Sequence, residues 1–114
     1  MTSIVLKPWG SYQVLESDNK YRLKKIIVKP EGKLSLQSHR YRSEHWVVVQ
    51  GRAEVTLNGD ISTLNENESI FIPIEAKHRL SNSDINDLII IEVWHGDQLD
   101  EEDIIRYEDI YNRK

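Results

Sequence analysis

Four side chains of the kinds that bind transition metals occur at a spacing that could bring them together. Gln37, His39 and Glu44 stand in the order Gln-x-His-x4-Glu, and His78 follows much later. In an extended strand, side chains two residues apart point to the same face, so Gln37 and His39 would project together. A turn would bring Glu44 back at the start of the next strand, because the apolar run from Trp46 marks a buried strand there. We predict a metal site made of these four ligands, in preference to a half-buried hairpin whose polar residues face water.

The kinds of ligand expected at this site limit which metal ions can bind there. Two imidazoles, one amide oxygen and one carboxylate suit zinc first, and also manganese, iron, cobalt or nickel. With only one carboxylate the site would keep a net positive charge, which favours an anionic substrate or an oxyanion. The chain has no cysteine, which excludes disulfides, thiolate zinc sites and a cysteine nucleophile. The expected cofactor is therefore one divalent transition metal.

Length and charge narrow the class of protein. The chain has 114 residues, the usual size of one domain. Its net charge of −4 disfavours a protein that binds the nucleic-acid backbone. No signal-peptide pattern opens the sequence and no apolar run reaches transmembrane length. We expect a cytoplasmic protein with no nucleic-acid or membrane partner.

Short apolar runs separated by turn residues predict strands along most of the chain. Asn58-Gly59 is the strongest hairpin signal, because both residues accept a positive φ. The run from Leu88 to Trp94 is the most apolar and is predicted to be a central strand. Further strands are expected at Tyr21 to Lys29, Leu34 to His39, Trp46 to Val49, Arg52 to Leu57, Ile61 to Leu64 and Ser69 to Ile72. Many short strands with little helix are typical of an all-β sandwich or barrel.

The last segment, Asp100 to Arg113, is acidic at its front and carries apolar or aromatic residues at Ile104, Tyr107 and Tyr111. That spacing suits a short helix with acids at its positive N-terminal end. We predict a short C-terminal helix that covers a barrel mouth or a sheet edge.

Two motifs resemble those of the cupin family. The first cupin motif is similar to the spacing Gly32-x4-Gln37-x-His39-x4-Glu44-x6-Gly51, with Gln in the first His position. The second is similar to Pro73-x4-His78-x3-Asn82, with Glu75 where Gly is usual. The resemblance implies one cupin domain over residues 1–114, a double-stranded β-helix of the jelly-roll barrel type. It also implies a homodimer, since cupins often pair through strand edges.

A finer resemblance is to the cupin domain of type II phosphomannose isomerases. It spans nearly the whole chain and rests on the stretches KPWGSY from Lys7, LSLQSHRYRSEHWVVVQG from Leu34, NESIFIP from Asn67, KHRLSN from Lys77 and EDIIRYEDIY from Glu102. In that family the domain usually follows a mannose-1-phosphate guanylyltransferase domain, which has no counterpart in this sequence. The resemblance implies a stand-alone isomerase with no guanylyltransferase activity, acting beside a separate guanylyltransferase.

The resemblance also implies a reaction and the residues that serve it. Interconversion of mannose 6-phosphate and fructose 6-phosphate moves a proton between C1 and C2, and a metal stabilises the intermediate. Lys33, Arg42 and Arg79 match family positions and are expected to bind the phosphorylated hexose. Glu44 and Arg42 are the expected catalytic residues. The alternatives are a non-catalytic sugar-binding or regulatory cupin and an isomerase for another sugar.

Overall fold

The computed structural model describes residues 3–113, which form two antiparallel sheets. Residues 3–113 contain no helix long and apolar enough to span a membrane. The strands are β1 (Ile4–Lys7), β2 (Gly10–Ser17), β3 (Tyr21–Val28), β4 (Leu36–Ser38), β5 (Arg42–Gln50), β6 (Ala53–Leu57), β7 (Asp60–Leu64), β8 (Ser69–Ile72), β9 (His78–Ser81), β10 (Leu88–Gly96) and β11 (Ile105–Glu108). The all-β prediction is confirmed.

The six-stranded sheet has the order β1-β2-β3-β10-β5-β8, and the five-stranded sheet has the order β11-β4-β9-β6-β7. The apolar strand β10 lies inside the larger sheet, between β3 and β5, as predicted. Its alternate residues Leu88, Ile90, Glu92 and Trp94 are buried. The inner face of β10 therefore carries a carboxyl group among apolar side chains.

The core lies between the two sheets. Val28 and Ile90 of the larger sheet are 0% exposed, and Val55 and Leu80 of the smaller sheet are 0% and 1% exposed. Full burial of such side chains stabilises the fold by about 1.5–3 kcal/mol each. Trp9 of the KPWGSY stretch is also buried in this core. The packed core holds the facing strands at fixed register, and the polar site is built on those strands.

The Asn58-Gly59 pair forms the predicted two-residue hairpin turn between β6 and β7. Leu57 pairs with Asp60 across the turn, and φ is 48° at Asn58 and 89° at Gly59. Positive φ at both central residues matches the right-handed twist of the flanking strands.

The predicted C-terminal helix is wrong. Within residues 100–113 the chain instead forms β11, which pairs with β4 at the edge of the smaller sheet. Side chains of Asp100, Asp103 and Asp109 accept hydrogen bonds from backbone N–H groups nearby in space or sequence. Such bonds compete with helical ones, and the open edge of β4 supplies a partner strand. The segment does cover a sheet edge, as expected.

Candidate metal centre and its cavity

His39, Glu44 and His78 converge inside the barrel. Their ligand atoms all lie within 4.8 Å of one another, and each residue is 3% exposed. His39 follows β4, Glu44 lies on the inward face of β5 and His78 begins β9. The convergence depends on tertiary structure, because β4 and β9 are neighbours in one sheet while β5 belongs to the other.

Backbone carbonyls determine which nitrogen of each imidazole is free. His39 Nδ1 lies 2.7 Å from the carbonyl oxygen of Asp103, and His78 Nδ1 lies 3.0 Å from that of Ala76. A carbonyl oxygen only accepts, so each Nδ1 carries the hydrogen and each neutral ring has its lone pair on Nε2. The two Nε2 atoms face each other at 3.2 Å. Two lone pairs at this distance repel each other, and a cation beside them, the Arg42 guanidinium or a metal ion, relieves that repulsion.

The third ligand, Glu44, is ionised. Burial opposes its ionisation, but the Arg42 guanidinium, the two neighbouring imidazoles and the Trp46 hydrogen bond together outweigh burial and lower the pKa of Glu44 to about 2. Its Oε1 accepts a hydrogen bond from Trp46 Nε1 at 2.8 Å, and its Oε2 lies 3.3 Å from His39 Nε2. Burial also lowers the pKa of His39 to about 4, so this ring is neutral near pH 7. Two neutral imidazoles and one carboxylate are the protonation states that a divalent transition metal requires.

Arg42 lies directly beside this cluster. Its Nε donates to Glu44 Oε2 at 2.8 Å, and its Nη2 donates to His39 Nε2 at 3.2 Å. The guanidinium carbon lies 3.4 Å from the centre of the Trp94 ring, and Arg42 is 5% exposed. Arg42 therefore neutralises part of the charge of Glu44 from inside the barrel.

Gln37 occupies the expected place in the sheet. It pairs in register with His78 across β4 and β9, and it lines the same cavity as Glu44 and His78. Its amide nitrogen donates to Ser35 Oγ at 3.0 Å. This bond leaves the amide oxygen as the atom that can ligate a metal.

The turn before His78 contains a residue other than glycine in the left-handed region. Glu75, where the motif has Gly, adopts φ 68°, in the left-handed region. Its backbone N–H donates to the carbonyl oxygen of His39 at 2.8 Å. A cost of about 1–2 kcal/mol is expected for a non-glycine residue in this conformation.

The cavity in front of the cluster has a cationic wall. Its basic lining residues are Lys7, Lys24, Arg42, Arg106 and Arg113, and its acidic lining residues are Glu44, Glu92 and Glu101. Sequence reasoning selected only Arg42 and Glu44 from this set. A sequence signal was available for Glu92, which interrupts the apolar run of β10, and a weaker one for Lys24, which alternates with the apolar residues Ile26 and Val28 on β3. Arg106 and Arg113 carried no such signal, because only the folded conformation of residues 100–113 brings them to the cavity wall.

Two of the residues predicted to bind the phosphorylated hexose lie outside the wall of this cavity. Lys33 and Arg79 are not part of the lining of this cavity. The guanidinium of Arg79 donates to the backbone oxygens of Leu34 and Glu108, so it fastens β11 to the smaller sheet. Lys33 forms an isolated bridge with Ser81. Their contact with substrate stays a prediction.

Nearly the whole sequence matches one protein family. The sequence model described as Mannose-6-phosphate isomerase C-terminal matches residues 1–109. The chain belongs to this family. Mannose-1-phosphate guanylyltransferase ManC of Salmonella typhimurium is 49% identical over 109 residues, and alginate biosynthesis protein AlgA of Pseudomonas putida is also 49% identical over 109 residues. These matches cover 96% of the chain but only 23% and 22% of the two relatives, so this mannose-6-phosphate isomerase C-terminal domain corresponds to a small part of them.

Solved structures show the fold of this chain. An RmlC-like cupin from Shewanella frigidimarina superimposes with a TM-score of 0.76 at 22% identity, covering 90% of this chain and 88% of that one. The capsular polysaccharide assembling protein CapF of Staphylococcus aureus gives a TM-score of 0.77 at 18% identity, covering 96% of this chain and 35% of that one. The predicted cupin fold is confirmed.

Proposed function

We propose that this chain is a metal-dependent isomerase that interconverts mannose 6-phosphate and fructose 6-phosphate. The observation that carries the proposal is the convergence of two imidazole lone pairs and an ionised carboxylate at the cationic cavity, in a member of the mannose-6-phosphate isomerase C-terminal family. Isomerisation of an aldose phosphate needs positive charge near the carbonyl oxygen and cations for the phosphate. The cavity offers both kinds of group.

The residues present fit a divalent transition metal. His39, Glu44 and His78 would hold it, with Gln37 as the fourth ligand, and the softness of this set suits zinc, manganese, iron, cobalt or nickel. When bound, such an ion polarises a carbonyl oxygen and stabilises the oxyanion that forms as the neighbouring carbon loses its proton. Trp46 and the backbone of Asp103 and Ala76 orient three of these ligands.

The phosphate is bound by the cations of the cavity wall. Arg42 is buried beside the ligands, and Lys24 is 4% exposed on the inner face of β3. Arg106 and Arg113 of the tail line the same cavity. The net charge of the chain is −4, so a negative substrate is attracted by these local groups rather than by the bulk field.

The test combines metal content with turnover. Elemental mass spectrometry of the purified chain should find one transition-metal ion per molecule, and a coupled assay should detect fructose 6-phosphate formed from mannose 6-phosphate but not from unphosphorylated mannose. The double variant His39→Ala/His78→Ala should lose both metal and activity. The matched double variant His45→Ala/His95→Ala, which removes two exposed histidines, should keep both.

A second candidate is a sugar-binding cupin that uses no metal. The hydrogen bonds of Arg42 to Glu44 and His39 favour it, because a guanidinium can neutralise the carboxylate in place of an ion. Calorimetry would then show mannose 6-phosphate binding to protein that carries no metal and gives no isomerisation. That result would replace the isomerase proposal.

A further inference from the structure

Glu92 is a buried carboxyl group in the cavity wall that the metal centre does not use. It lies on the inner face of β10, is 6% exposed and lines the same cavity as Glu44 and His78. In register, it pairs with Lys24 of β3 on one side and Trp46 of β5 on the other. Burying a carboxyl group in the centre of the inner sheet face is costly unless hydrogen bonds or a charged partner compensate.

The register between β5 and β10 places Glu92 diagonally next to Glu44, one of the candidate ligands. Across β5 and β10, Glu92 pairs with Trp46 and Trp94 pairs with Glu44, so the two glutamates are diagonal neighbours on adjacent antiparallel strands. Such positions lie about 7–8 Å apart, and side chains reach across the gap. A carbonyl oxygen held at the Glu44 end therefore has its neighbouring carbons within reach of the Glu92 carboxyl.

One oxygen of Glu92 is fixed and the other is available. Trp94 Nε1 donates to Glu92 Oε1 at 3.1 Å, which is the same Glu-x-Trp bond that Trp46 makes to Glu44. In the described part of the chain no other hydrogen bond to this carboxyl is formed. Glu44 uses its second oxygen toward Arg42 and His39, whereas the second oxygen of Glu92 is left for a ligand in the cavity.

The surroundings adjust the acidity of this group. Burial, with the Glu44 carboxylate adding to it, raises the pKa of Glu92 to about 8, and Lys24, Trp94 and Arg42 oppose the rise. A carboxyl that exchanges its proton near neutral pH can both take up and return a proton during one turnover.

We propose that Glu92 is the catalytic group that carries the proton between C2 and C1, a role that rests on the isomerase function proposed above. The Glu92 carboxylate takes the proton from C2 of the open-chain aldose, and the C2–H electron pair forms the C1–C2 double bond of the enediol. The carbonyl electron pair moves to O1, which takes up the proton of the C2 hydroxyl. As C2=O forms, the double-bond pair takes the proton back from Glu92 at C1. No oxidant or reductant is consumed.

The test compares Glu92→Gln and Glu92→Asp with the wild type, all loaded with the same metal. Gln keeps the acceptor for Trp94 and the shape of the side chain but cannot carry the proton. We expect kcat for mannose 6-phosphate to fall by about 10²–10⁴-fold in Glu92→Gln, with KM and metal content nearly unchanged. Loss of deuterium from C2-labelled mannose 6-phosphate should fall by the same factor. The matched control Glu54→Gln, at a β6 carboxylate outside the cavity, should behave as the wild type.

The possible outcomes distinguish failure of the Glu92 proposal from failure of the isomerase function on which it rests. If metal-loaded wild type isomerises mannose 6-phosphate and Glu92→Gln does so within tenfold, Glu92 is not the proton carrier and the isomerase function stands. If the metal-loaded wild type shows no isomerisation, both proposals fall. Should Glu92→Gln fold poorly, Glu92→Asp decides: it retains a carboxyl and should be at least tenfold more active per folded molecule than Glu92→Gln. Equal activities of the two variants overturn the assignment.

Discussion

Two glutamate–tryptophan pairs on neighbouring strands hold their carboxyl groups in opposite states. Trp46 bonds to Glu44 and Trp94 bonds to Glu92, each two residues along the strand. Both carboxyls are buried, but the pKa of Glu44 falls to about 2 beside Arg42, whereas burial raises the pKa of Glu92 to about 8. The difference arises from the neighbours, because only Glu44 has a guanidinium in contact. One residue type thus provides an ionised carboxylate at Glu44 and a carboxyl with a raised pKa at Glu92.

The raised pKa of Glu92 predicts how stability depends on pH. Between the ordinary value of 4.5 and about 8, the folded protein keeps a proton that the unfolded chain has released. Deprotonation therefore favours unfolding, and the contribution of Glu92 to stability falls as pH rises through this window. Denaturant unfolding of metal-free protein should show Glu92→Gln gaining stability relative to wild type from pH 4.5 to 8. A difference that stays constant with pH would contradict the shift.

We predict that Arg42 binds the substrate and is not needed to hold the metal ion. Its bonds to Glu44 and His39 use lone pairs that a metal would also need, so Arg42→Ala should retain the ion. Loss of a charge-assisted contact costs about 1.5–3 kcal/mol, so kcat/KM for mannose 6-phosphate should fall by about one to two decades. Arg40→Ala is the matched control, because Arg40 is exposed. Loss of metal from Arg42→Ala would show that Arg42 holds the ligands in place.

At the scale of elements, the β6–β7 hairpin is a turn remote from the chemistry. Nothing lies within 4 Å of a Cβ placed on Gly59, so the backbone conformation alone restricts that position. Gly59→Val should lower the free energy of unfolding by about 1–3 kcal/mol, since a β-branched residue resists positive φ. Gly59→Asn should cost much less, because Asn tolerates this region. Chemical denaturation measures both, and a loss of metal affinity in folded Gly59→Val would link the turn to the site.

The tail is the element that joins the candidate metal centre to the edge of the smaller sheet. The carboxylate of Asp103 accepts hydrogen bonds from the backbone of Arg40 and Tyr41 at 2.9 Å each. Its carbonyl oxygen accepts from His39 Nδ1, so the tail also determines the tautomer of a ligand. Glu101 reaches back to pair with Lys24 in the cavity wall at 3.0 Å. A segment of strand and turns makes these contacts, which a helix with the same sequence would not present in this order.

For the whole molecule, we expect metal binding and folding to be linked. The ligands come from both sheets, so an ion held by His39, Glu44 and His78 binds only the folded chain. At a free metal concentration a thousand times Kd, the fold gains about 4 kcal/mol, and Tm should rise by about 10 °C or more. Calorimetric scans with and without chelator measure the shift. The same shift in His39→Ala/His78→Ala would place the metal at other residues.

Local chemistry in the sequence was sufficient for strands β3 to β8 and β10, for the hairpin, and for selecting His39, Glu44 and His78 as candidate ligands, but the two-sheet fold is what brings these three together. Alternation along β10, the Asn-Gly pair and the Gln-x-His-x4-Glu spacing are properties of a few consecutive residues, so they can be read before folding. Tertiary structure alone decided which cations line the cavity and what the tail becomes. Lys24, Glu92 and Arg106 share one cavity because β3, β10 and β11 meet there. The tail is a strand because the β4 edge offers backbone partners, and no spacing within residues 100–113 encodes that edge.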